Sequence, residues 1–213
     1  MENALQNKLE LACKIAKSFF DRGMGSGTTG NLSFMHKGIL FITAGGTCFG
    51  FLTPSDFSAV PYEDKADSSL LADPEVAALL KKKPSKELTL HKTVYDRLMR
   101  DGFTEGAVIH THATYSVLWS CVPGLDPDNC VPDPTPYLRM KMGNCGLIPY
   151  EKPGSPALFE AFAERCGDKY GWILKRHGLV TDGKDLMEAF GRCEELEETC
   201  KVAWMLRSAG ITV

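Results

Sequence analysis

VIHTHATYS (residues 108–116) sets His110 and His112 one residue apart, directly behind the apolar run Ala107-Val108-Ile109. Side chains two positions apart share a face of a β-strand, whereas on an α-helix they lie about 200° apart. The apolar run predicts a strand ending in these residues, EGAVIHTH, so both imidazoles project together. Two ligands on one strand face make half of a metal site. Two partly exposed histidines at a strand end fit the pair alone equally well.

The rest of the histidine inventory bears on that choice, because the chain has only five. His177 stands in LKRHGLV, at the end of a second apolar strand. Three imidazoles from two strands with an open coordination position are a donor set used by catalytic zinc and related divalent ions. Glu87, in the first turn of a predicted helix, adds a carboxylate that could ligate the ion or act as a base. Its alternative reading is a helix-start residue of the capping type. His91, four residues on, shares the helix face of Glu87 and reads as a packing or supporting residue. His36 falls in a hairpin turn, where solvation is expected.

Working outward, Glu2 to Arg22 has apolar residues at helical spacing and Gly23 as a stop. The loop GMGSGTTGNLSF runs into strands at 32–35 and 39–43, joined by the turn His36-Lys37-Gly38, and the loop TAGGTCFG follows. Asp64 to Lys83 predicts a loop with one helical turn. A helix is expected from Pro84, with Ser85 near its start and Gly102 beyond its end. After EGAVIHTH come a helix over ATYSVLWSC and an extended Pro/Asp-rich connection, Pro123 to Pro136. A helix over SPALFEAFAERCG, a strand pair over WILKRHGLV and a long C-terminal helix complete the chain. Several connections are too short for helical crossovers, so a purely parallel sheet is not expected.

GSGTTGN precedes a strand and does not match a P-loop or a dinucleotide fingerprint. Its glycines, hydroxyls and Asn could form a plain flexible turn or a backbone cradle for a phosphate. Tyr137, after PDPTP, reads as a lone phenol in a loop. At 213 residues without a Pro/Gly/Ser-rich linker, residues 1–213 are expected to form one domain. A net charge of −3 supplies no field for nucleic acid. No run approaches the roughly 20 apolar residues of a membrane span, and the N-terminal stretch lacks the apolar core of a signal peptide. The eight cysteines include no CxxC pair and are expected to be reduced. A cytoplasmic location is therefore expected, with neither a nucleic-acid nor a membrane partner.

Four ordered motifs, GTTGNLS (27–33), PSKE (84–87), HTHAT (110–114) and RHGLV (176–180), resemble those of the class II aldolase/adducin family over about Leu5 to Leu206. The resemblance implies a three-layer α/β/α domain with a central, mainly antiparallel sheet, assembled as a homotetramer with active sites at subunit interfaces. It carries metal ligation onto His110, His112 and His177, and ligation with an acid/base role onto Glu87. Substrate phosphate binding carries onto Gly30, Asn31, Gly45, Gly46, Ser85 and Lys86. Adducin-type members keep the fold without the metal ligands, which makes a non-catalytic scaffold the lesser reading here.

Within the family, SCVPGLDPDNCVPDPTPYLRMKMG, LIPYEKPGS and EELEETCKVAWML look most like the branch of 3-oxo-tetronate 4-phosphate decarboxylases, as does Lys86 in PSKE. Tyr137 aligns with a tyrosine that a neighbouring subunit contributes as proton donor. Two positions depart from the family: TAGG stands where TPTG is usual, which puts Gly45 in place of Thr, and Arg176 precedes the third histidine where Asn or His is usual. The expected reaction is carbon–carbon lysis assisted by Zn2+, Mn2+ or Co2+: CO2 loss leaves an enediolate, and its protonation gives dihydroxyacetone phosphate. A sugar-phosphate aldolase would reach the same enediolate by expelling an aldehyde, and an epimerase would retain every carbon.

Overall fold

The structure, a computed structural model, describes residues 1–62 and 65–212. Its centre is a seven-stranded sheet in the order β3-β2-β1-β4-β7-β6-β5. The strands are β1 (Asn31–His36), β2 (Ile39–Thr43), β3 (Phe57–Pro61), β4 (Gly106–Thr111), β5 (Gly146–Ile148), β6 (Gly171–Leu174) and β7 (Gly178–Gly183). Only β5 and β6 pair in parallel; the other neighbours are antiparallel, as expected from the short connections.

Helices cover both faces: α1 (Asn3–Asp21), α2 (Ser68–Leu71), α3 (Pro74–Leu80), α4 (Leu88–Arg100), α5 (Thr114–Ser120), α6 (Tyr137–Met142), α7 (Pro156–Arg165) and α8 (Leu186–Ser208). The strand alternation sorts residues between the two layers. Leu32, Phe34, Ala107, Ile109 and Leu179 pack with Leu5, Leu9 and Ala12 of α1 and with Ala189, Cys193 and Leu196 of α8. Met35, Val108 and Val180, displaced by odd numbers of residues along the same strands, pack with Leu90, Val94 and Leu98 of α4 and with Leu158 and Phe162 of α7. The same parity assigns Asn31, Ser33 and His110 to the α4 side of the sheet. Among the described residues, no helix is long and apolar enough to cross a membrane.

Several expectations need correction. Between Ala66 and Lys83 the chain forms two helices in place of one turn. Asp67 and Asp73 start them, each carboxylate accepting two backbone N–H groups, and Pro74 follows at the first helical position; Asp64, where that stretch was taken to begin, lies outside the described residues. Helix α4 starts at Leu88, because Pro84 and Ser85 are held by the β2 end: Ala44 bridges Pro84, and Ser85 N–H donates to the Thr43 carbonyl at 3.1 Å. His36 is buried, with Nε2 2.8 Å from a Glu2 carboxylate oxygen and Nδ1 3.2 Å from the Lys8 ammonium. Tyr137 opens α6 and does not sit in a loop. Strands β3 and β5 were not anticipated.

Candidate metal centre

The site forms where one end of the sheet meets the start of α4. Antiparallel register sets Asn31, the first residue of β1, opposite His110 near the end of β4. On the other side, Thr111 pairs with Leu179 at the start of β7, so His177 follows directly from the turn between β6 and β7. His112 lies one residue beyond the strand. The ligating atoms of His110, His112 and His177 all fall within 4.8 Å of one another. Their rings form a nearly equilateral triangle, with centroids 4.8–4.9 Å apart and planes inclined by 64–76°.

Two glycines let the backbones approach this closely. Gly178 has no side chain because a Cβ there would sit 2.2 Å from the Thr111 carbonyl oxygen. Gly30 has φ +83, and a Cβ would meet the His110 carbonyl at 3.0 Å.

Glu87 stands at the N-cap of α4, yet its carboxylate makes no capping bond, which removes the helix-start reading. Instead Oε2 accepts from Asn31 Nδ2 at 2.8 Å and lies 3.3 Å from His110 Nε2, while Oε1 lies 3.4 Å from His177 Nε2. Burial pushes the His110 imidazole down to about 3 and lowers His177 and His112 as well. The three rings are therefore neutral at physiological pH. His110 Nδ1–H donates to the Leu179 carbonyl at 2.8 Å, which leaves Nε2 with a lone pair aimed at the carboxylate. His177 has both ring nitrogens buried without a hydrogen-bond partner. The carboxylate oxygens lie 3.3–3.4 Å from His110 and His177 Nε2, and His112 Nε2 lies 3.1 Å from His110 Nε2, so three imidazoles and a carboxylate converge with the buried His177 nitrogens unpartnered, a donor set that suits a divalent cation. The residues fit a metal ion.

A pocket of about 560 Å³ opens over this centre. Its lining includes His112, His177 and Glu87 together with Gly30, Asn31, Gly45, Gly46, Ser85 and Lys86, so the expected metal and phosphate residues share one cavity except His110, which is fully buried behind it. The two loops are zipped together: Gly45 N–H donates to the Lys83 carbonyl at 3.0 Å, beside the Ala44–Pro84 bridge. A Cβ on Gly45 would approach nothing closer than 3.4 Å, so its missing side chain widens the pocket without relieving a clash. Tyr137 is apart from this group, 57% exposed on α6 and absent from the lining. Sequence reasoning missed Thr28, Thr29, Thr47, Lys83 and Gly154, which add to the wall beside Ala44, Pro84 and Pro153. Thr28 and Thr29 stood in a loop already singled out, and Gly154 stood in LIPYEKPGS, marked there only for its family likeness; it arrives from the connection between β5 and α7.

With this geometry, the chain belongs to the class II aldolase and adducin family, whose N-terminal domain model matches residues 10–204. It is similar to the 3-oxo-tetronate 4-phosphate decarboxylase of Escherichia coli strain K12, 39% identical over 202 residues covering 94% of this chain and 88% of the relative. The enzyme of that name from Haemophilus influenzae is 34% identical over 203 residues, 95% of this chain and 89% of the relative. Among solved structures, YgbL from Escherichia coli superposes with a TM-score of 0.80 at 36% identity, covering 96% of this chain and 91% of that one. An L-fuculose 1-phosphate aldolase, at 22% identity and a TM-score of 0.76 over 97% of this chain and 89% of that one, shares the fold.

Proposed function

We propose that this chain is a divalent-metal-dependent carboxy-lyase that converts 3-oxo-tetronate 4-phosphate to dihydroxyacetone phosphate and CO2. The observation that carries the reading is the single pocket lined by both the His/Glu centre and the glycine and hydroxyl loops. Its polar centre suits the oxygens of the reacting carbons, and its loops suit the phosphate. Identity of 34–39% to proteins bearing that activity in their names supports the substrate.

In this reading His110, His112, His177 and Glu87 hold the ion, which is zinc by the preference of an imidazole-rich set, with Mn2+ or Co2+ able to replace it. Bound there, a divalent ion supplies a Lewis acid for the negative charge that builds on substrate oxygen as CO2 departs. Gly30, Asn31, Gly45, Gly46, Ser85 and Lys86 bind the phosphate and set the substrate's orientation. Glu87 exchanges a proton with the substrate, and Tyr137 of a neighbouring subunit donates a proton to the carbon that lost CO2. A homotetramer accounts for the distant Tyr137: the phenol and Met140, 57% and 77% exposed on the same short helix, are available for an intersubunit contact. Residues 1–213 act as one domain. The eight free thiols support a reducing, cytoplasmic setting.

The test offers metal-loaded protein 3-oxo-tetronate 4-phosphate and L-fuculose 1-phosphate side by side. Release of CO2 from the first without aldehyde from the second is expected; the reverse pattern would make the protein an aldolase.

A further inference from the structure

Behind Glu87 runs a buried chain of polar side chains, of which only Asn31 has a role above. Tyr95 OH lies 2.9 Å from Ser33 Oγ, Ser33 Oγ lies 2.7 Å from His91 Nδ1, His91 Nε2 lies 2.5 Å from Asn31 Oδ1, and Asn31 Nδ2 donates to Glu87 Oε2 at 2.8 Å. Tyr95, Ser33 and His91 are at most 1% exposed and Asn31 is 4% exposed, so water does not complete any of these bonds. The chain spans β1 and α4, on the face that strand parity gives to α4.

The donor and acceptor inventory fixes the direction of every link. An ionised carboxylate only accepts, so Asn31 must turn its amide NH2 toward Glu87 and its carbonyl toward His91. His91 must then carry its proton on Nε2 and accept at Nδ1 from the Ser33 hydroxyl, which leaves the Ser33 oxygen to accept from Tyr95. Burial pushes the His91 imidazole down to about 3, so the ring is neutral and has one tautomer to choose. All four hydrogen bonds thus point toward Glu87. The Asn31 amide cannot pass a proton onward in its ordinary form, which makes the chain a positioning device and not a proton wire.

We propose that His91 is a positioning residue for the reaction: locked by Ser33 and Tyr95 as the Nε2–H tautomer, it holds Asn31 in the one amide orientation that donates to Glu87. Without that lock, Asn31 can rotate its carbonyl toward the carboxylate, where two acceptors repel, and Glu87 swings from the place where it meets substrate. The inference rests on Glu87 being the acid/base group proposed above.

Two measurements separate the inference from that reading. Nitrogen NMR of His91 in the whole protein needs neither substrate nor turnover. A single neutral tautomer with the proton on Nε2 is expected at neutral pH, giving way to a tautomer mixture in Ser33→Ala. A proton on Nδ1 in the unmodified protein overturns the proposal even if the enzyme proves active on some other substrate. Kinetics on the substrate that the protein turns over form the second measurement. His91→Leu is expected to lower kcat by about 10- to 100-fold with a smaller rise in KM through Asn31, and His91→Gln, which can donate to Asn31 and accept from Ser33, to recover most of the loss. Should His91→Leu fail to fold, Ser33→Ala, with a smaller fall in kcat, takes its place. Unchanged kcat in whichever of these variants folds, or a His91→Gln as impaired as the Leu variant, contradicts the positioning role.

Discussion

At Arg176 a long cationic side chain occupies the left-handed region, with φ 57, in the turn that delivers His177. Asn visits that region more readily than Arg, because its short amide bonds locally. An Asn before this histidine, one of the two residues that the resemblance leads one to expect there beside His, has a backbone explanation, and Arg176 carries strain. Arg176→Asn is expected to raise the unfolding free energy by about 0.5–1 kcal/mol, read from the denaturant midpoint at constant slope. A lower midpoint would show that the Arg176 side chain contributes more than its backbone costs. Legibility at this scale divides by sequence distance. His110, His112, His177 and Glu87 could be picked out because each sits in a short motif with a face or cap attached. The partnership of Ser33 with His91 and Tyr95, 58 and 62 residues away, depends on how β1 docks on α4, and no local pattern carries that.

Among the elements, the junction of β4 with β7 controls the site. Gly178 opens β7 against Thr111, and the obstruction that a Cβ would meet is a backbone carbonyl, which cannot rotate away. His110 Cε1, at 3.2 Å, is the nearest side-chain atom. Gly178→Ala should therefore destabilise the protein by roughly 1–3 kcal/mol and lower zinc affinity as well, checked by thermal melts and by titration against a competing chelator. A loss of stability with affinity unchanged would mean that the strands separate without moving the histidines. Helix α1 and the hairpin strands β1 and β2 lie where the pattern puts them, and α8 lies where a long C-terminal helix was expected. The three-residue β5 is too short to alternate visibly, and α2 and α3 announced themselves only through Asp67 and the Asp73-Pro74 pair, both passed over within a polar stretch.

For the molecule as a whole, burial of a neutral histidine sets a pH dependence of folding. His91 has its folded value near 3, below the ordinary histidine value of about 6.5 that applies when unfolded. Between these values the unfolded chain binds the extra proton, so stability is lost as pH falls from 6.5 toward 3, by up to about 1.4 kcal/mol per pH unit for one such group. Metal-free His91→Gln should accordingly show a shallower acid limb in denaturant-derived stability than the unmodified chain. Parallel limbs would mean that His91 takes up its proton in the folded protein. The layered architecture and mainly antiparallel sheet followed from connection lengths and family motifs. Assembly as a homotetramer was expected from the resemblance alone, because a subunit contact leaves no periodic mark within one chain.

The most direct measurement supplies 3-oxo-tetronate 4-phosphate to zinc-loaded protein in heavy water and follows CO2 and dihydroxyacetone phosphate together, with a chelator-stripped control. The expected result is release of both in equal amounts, one solvent deuteron on the carbon that lost CO2, and no release from the stripped protein until metal is restored. Undiminished release from the stripped protein, or no release from the loaded one, would contradict a metal-dependent carboxy-lyase.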